Sequence, residues 1–143
     1  PHVRTHEERT MSQDTGYALK KTLHATVDEA DTRVREALKS EGFGILTEID
    51  VSRTLEEKLE VSFRPYRILG ACNPPLAHQA LSEETDIGLL LPCNVIVYEG
   101  DDADTTVVAV LDPVQQLGIA GRDDMAPIAV EVRARMERVV AAL

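Results

Sequence analysis

The chain has 143 residues, 43% hydrophobic but only 3% aromatic, and a formal net charge of −10. That length suits one domain with a core of Leu, Ile, Val and Ala. The charge, the lack of a Lys/Arg cluster and the scarcity of aromatic rings argue against nucleic acid as a partner. No apolar stretch, Leu89 to Leu91 and Val107 to Leu111 included, is long enough for a membrane span, and two cysteines with no signal-like segment predict a reducing, cytoplasmic setting.

Residues 1–15 carry His2, His6 and many charges without a repeating apolar face. They read as a disordered leader or cloning remnant ahead of a start at Met11, leaving 16–143 as the single folded domain. Gly16 to His24 predicts a first strand. Thr26 and Glu29 have capping-box spacing, Val27, Ala30, Val34, Ala37 and Leu38 form one helical stripe, and Gly42 is placed for a left-handed cap.

Phe43, Ile45, Thr47, Ile49 and Val51 alternate with Gly44, Leu46, Glu48 and Asp50, predicting a second strand. Ser52 is expected to cap a short helix carrying Leu55 and Leu59, and Pro65 to introduce a strand from Tyr66 to Cys72. Asn73 and Pro74 form a helix opening, because Asn caps and Pro loses nothing at the first helical position. That helix should carry Leu76, Ala77, Ala80 and Leu81 and end near Glu84.

Strands at Val95–Tyr98 and Thr105–Leu111 are joined by an acidic loop containing Asp101, Asp102 and Asp104, which reads as a solvated hairpin tip. The stretch from Pro113 to Asp124 reads as loop. A last helix places Ile128, Val132, Met136, Val139, Val140 and Leu143 on one stripe, with Asp123 or Asp124 at its cap. The fold expected is α+β, a mainly antiparallel sheet covered by helices in the order β-α-β-(short α)-β-α-β-β-α. A dinucleotide-binding arrangement fits less well, since His24, Ala25 and Thr26 stand where a Gly-rich turn would be needed.

Three runs carry a recognisable pattern: Gly42-Phe43-Gly44-Ile45-Leu46-Thr47-Glu48-Ile49-Asp50, Tyr66-Arg67-Ile68-Leu69-Gly70-Ala71-Cys72-Asn73-Pro74, and Leu91-Pro92-Cys93-Asn94. The chain from about Tyr17 to Leu143 resembles the prokaryotic domain of unknown function 302 family, whose fold is termed TT-like α+β. The resemblance implies a compact α+β domain that pairs as a homodimer. It transfers no catalytic residue and no cofactor.

The candidate site is centred on Cys72 and Cys93, one ending a strand and the other beginning the next, each followed by an asparagine. They are expected to meet at the same end of the sheet. Asn73, Asn94, Tyr66, Arg67 and His78 are candidate ligand-binding neighbours, and Cys72 and Cys93 are the only candidate catalytic groups. A position ahead of a helix N-terminus would lower the pKa of Cys72. Cys72, Cys93 and His78 give three ligands where a structural zinc site takes four, so no metal is assigned. Arg64 and Arg67 offer a clamp for an anion, and Glu48 with Asp50 an acid–base pair, but carboxylate pairing and a solvated strand face are the commoner roles.

Three functions are open at this point: a small-ligand-binding module with a cysteine-lined pocket, a thiol-dependent redox or metal-binding enzyme using Cys72 and Cys93, or a pocketless homo-oligomeric interaction protein. The residues do not decide whether a reaction is catalysed, and they name no cofactor.

Overall fold

The computed structural model describes residues 15–143. The leader expected at 1–15, with His2, His6 and Met11, falls outside the described residues except for Thr15. Strand β1 (Ala18–Leu23) leads into helix α1 (Val27–Ser40), whose first turn is capped by the Thr26 side chain accepting from the Glu29 N–H. At its far end Gly42 has φ +86°, the Phe43 N–H donates to Leu38 O at 2.9 Å, and the Gly42 N–H donates to Lys39 O at 3.1 Å. This is a Schellman ending, and it needs a residue that tolerates the left-handed region.

Strand β2 (Gly44–Asp50) is followed directly by α2 (Val51–Leu59). The cap of α2 is Asp50, which accepts from the Arg53 N–H, and not the expected Ser52, whose hydroxyl donates to Asp50 instead. Then come β3 (Tyr66–Cys72), α3 (Pro74–Glu83), a 3-10 segment (Thr85–Leu90), β4 (Cys93–Glu99) and β5 (Thr106–Leu111).

The region expected as loop contains a helix, α4 (Pro113–Gly118), capped by Asp112 accepting from the Val114 N–H. A short 3-10 turn (Asp123–Met125) precedes α5 (Ala126–Ala141). Neither Asp123 nor Asp124 caps α5; Met125 holds the cap position without a side-chain bond, and Asp124 is drawn to Arg122.

The five strands form one antiparallel sheet in the order β1-β5-β4-β3-β2. Strands β2 to β5 lie side by side in chain order, and β1 pairs beyond β5 at the other edge. One face of this sheet supplies Leu69, Val95, Val97, Val108 and Val110 to a single core with Val34 and Leu38 of α1, Ala80 of α3, and Ile128, Met136 and Val139 of α5. With so few aromatic rings, close packing is achieved by branched aliphatic side chains from sheet and helices together.

Strand β2 departs from its expected alternation. Ile45 pairs with Ala71, but Thr47 pairs with Gly70, so Leu46 is an extra residue bulged out of the ladder. Beyond the bulge Glu48 and Asp50 share a face with Leu69 and Arg67, while Ile49 shifts to the opposite face. Close approach to this segment also explains Gly70, where a Cβ would collide with the Thr47 hydroxyl and lie 2.8 Å from Pro92 Cγ.

A charged cluster fastens α1 to β3. Asp31 is only 6% exposed and accepts from Arg35 on its own helix and from Arg67 of β3 at 3.1 Å. Arg67 also reaches Asp28 at 2.5 Å, and Arg35 reaches Glu48 at 3.0 Å. Removing Asp31 would leave two arginines without their shared anion. Asp31→Ala should therefore lower stability by about 1–3 kcal/mol, less than a fully buried pair because both arginines are partly solvated. Urea titration of wild type and variant checks this; matching midpoints would show that the cluster contributes nothing.

Candidate functional site

At the end of the sheet where β3 finishes and β4 begins, a half-open cleft of about 290 Å³ lies against α3, α4 and α5. Its walls come from six places in the chain. Phe43, just ahead of β2, and Leu46 within it form one part, Ala71 and Cys72 end β3, and Leu76, Ala77, Ala80 and Leu81 form one side of α3. The turn into β4 adds Leu91, Pro92 and Cys93, and the two C-terminal helices add Gln116, Leu117, Ile128 and Val132.

Local chemistry places α3. Asn73 accepts from the Leu76 N–H at 3.3 Å, and Pro74 and Pro75 occupy positions whose N–H groups would have no helical partner. Asn73 is itself 8% exposed, and its amide donates to Glu41 O at 3.5 Å. Arg135 of α5 donates to the same carbonyl at 2.9 Å. The single carbonyl of Glu41, just past the end of α1, thus anchors both helices that flank the cleft.

The two cysteines border this one cleft, but they do not face each other. Antiparallel pairing sets Ala71, not Cys72, across from Cys93. Alternation along the strand therefore gives the two thiols opposite sides of the pleat. Cys93 is 8% exposed, and its thiol donates to Gln116 Oε1 at 3.5 Å; Cys72 is half-buried, and both are free thiols.

Burial pushes the Cys72 thiol up, against the lowering expected of a residue ahead of a helix. Burial, with a smaller contribution from the neighbouring Cys72, pushes Cys93 up to about 11. Burial thus favours the neutral form of both groups, which is not the nucleophilic form of a cysteine.

Of the seven residues singled out from the sequence, Cys72, Asn73 and Cys93 line the cleft and four do not. Tyr66 stacks on Tyr98 with ring centroids 5.2 Å apart, on the sheet face away from the core. Arg67 is held by Asp28 and Asp31, so the anion clamp has internal carboxylates in place of a ligand. Arg64 likewise pairs with Asp101 at 2.8 Å. His78 is exposed on α3, and Asn94 is exposed on β4. Among the described residues no three His, Cys, Asp or Glu side chains gather as a ligand set. Glu48 and Asp50 do not act as a pair either: one binds Arg35, and the other caps α2, its pKa lowered by the Arg53 N–H.

Gln116 is the residue that sequence reasoning missed. Its carboxamide is 5% exposed, donates to the carbonyls of Leu90 and Pro92, and accepts from Cys93. It ties α4 to the turn that carries Cys93. The signal for it was Asp112-Pro113, a cap followed by a first-turn proline, the same grammar as Asn73-Pro74.

A family model described as domain of unknown function DUF302 matches residues 19–143. A solved structure described as an uncharacterized conserved protein DUF302 from Bacillus stearothermophilus is similar at 29% sequence identity, with a TM-score of 0.80, over 88% of this chain and 97% of that chain. No curated protein matches. Among the described residues no helix is long and apolar enough to cross a membrane.

The thiols have a consequence for pH. A group whose pKa is raised by folding contributes stability that is fully present below its unfolded value and lost as pH rises through the folded one. Wild type should therefore lose stability between pH 9.0 and about 11. Cys93→Ala should show a smaller loss over that window, read as the change in urea midpoint between its two ends. An identical loss in wild type and variant would remove Cys93 burial as the cause.

Proposed function

The chain belongs to the DUF302 family of domains of unknown function, and on that premise we propose that it is a small-ligand-binding module whose ligand occupies the cleft between α3 and the sheet. The observation that carries this reading is the apolar wall. A half-open space of about 290 Å³ is lined by Leu, Ile, Val, Ala, Phe and Pro side chains together with Cys72, Cys93, Asn73 and Gln116. Concave, mostly apolar sites of this size are where small molecules bind, since the bound molecule releases water from surface that makes no hydrogen bonds to it. The two cysteines belong to the wall as small hydrophobes. A thiol-dependent redox enzyme is less well supported, because burial favours the neutral form of both sulfurs.

Ala77 lines the cleft from α3, so Ala77→Phe should fill part of the space. Titration with a fluorescent apolar probe such as 1-aminoanthracene should give saturable binding to wild type, weakened about tenfold or more in the variant. Cys72→Ser should bind the probe nearly as well as wild type. Undiminished binding to the Ala77→Phe variant would place the probe elsewhere and remove the support for this site.

Pairing of two copies is proposed alongside. It is supported by the sheet face away from the core, where Tyr66, Ile68, Ile96 and Tyr98 are half-buried and Ile49 is 49% exposed. A charge in the centre of such a face is costly once the face is covered. Sedimentation equilibrium should give a dimer for wild type and a folded monomer for Ile96→Lys; a wild-type monomer would count against the pairing.

A further inference from the structure

We infer that the cleft selects for an uncharged, compact skeleton of about two to three fused rings and discriminates against the carboxylate of such a skeleton. This rests on the binding reading above and names the class of ligand. Size comes first. An apolar cavity of about 150 Å³ accommodates one benzene ring, and the cleft, at about 290 Å³, has room for roughly twice that. A long acyl chain would have to leave most of its length in water.

Charge comes second. None of the described residues lining the cleft is Lys, Arg, His, Asp or Glu. Arg135, which shares the Glu41 carbonyl with Asn73, is already committed: it donates to Glu41 O and to Glu131. An anion entering the cleft would lose its hydration and find no cation to replace it. The net charge of −10 on the chain opposes an anion from outside as well.

The polar side chains in the wall are occupied too. Gln116 spends its amide on Leu90 and Pro92 carbonyls and its oxygen on Cys93. Asn73 spends its oxygen on the Leu76 N–H and its amide on Glu41 O. Drawing either toward a ligand would break a part-buried hydrogen bond to the backbone, which costs about as much as the new bond returns. Recognition is therefore by shape and by the exclusion of charge.

The test is competition against 1-aminoanthracene on the full chain at neutral pH, with 2-naphthol as the neutral competitor and 2-naphthoate as the anionic one. 2-Naphthol should displace the probe at a concentration about tenfold or more below that needed for 2-naphthoate. Ala77→Phe should weaken 2-naphthol in parallel with the probe. Equal displacement by both competitors would overturn the charge selectivity while leaving the binding site in place. If decanol outcompeted 2-naphthol, the inferred shape would be wrong. If the probe itself failed to bind wild type, the binding reading and this inference would fall together.

Discussion

The end of the sheet between β3 and β4 stands open because the side chains that converge there are short. Ala71 and Cys93 face one another across the ladder, and the helix laid over them presents Ala77 and Ala80. Larger residues at these positions would close the space, as they do a few residues along at the paired Leu69 and Val95, both fully buried. Protein interiors otherwise leave few voids of this size. Everything else at this end serves to hold the walls apart: Asn73 starts α3 at a fixed point, and Gln116 fixes α4 against the turn into β4.

The polar groups in this part of the molecule are inward-looking. Asp31 is enclosed by two arginines, Glu41 O receives donors from two helices, and Gln116 satisfies two carbonyls. Such fully engaged buried groups specify how elements meet more than they recognise outside molecules. The same arrangement makes Arg67 a fastening between α1 and β3.

Much of the fold was legible in the residues because its boundaries are written in local chemistry. Thr26 with Glu29, Gly42, and Asn73 with Pro74 each state a start or stop that no distant contact has to supply. The missing α4 is only Pro113–Gly118, too short to display a repeating stripe, although its Asp112 cap was visible. The Leu46 bulge depends on how β2 meets β3, and periodicity along one strand carries no such information. The candidate site was legible in part for a similar reason. Closeness to the cysteines along the chain suggested His78 and Arg67, but helix rotation turns His78 away from the side formed by Ala77, Ala80 and Leu81. Arg67 lies several residues up the strand among its own carboxylates. The opposite wall, from α4 and α5, is distant in sequence from both thiols.

The bulge at Leu46 has a bearing on solubility. Among the described residues strand β2 is an edge strand, and a flat edge with regular pleating offers its unpaired amides and carbonyls to any other extended chain. An extra residue breaks the spacing of those groups midway and adds local twist. Stacking of one molecule's edge on another's into an open-ended ribbon is thereby opposed by geometry.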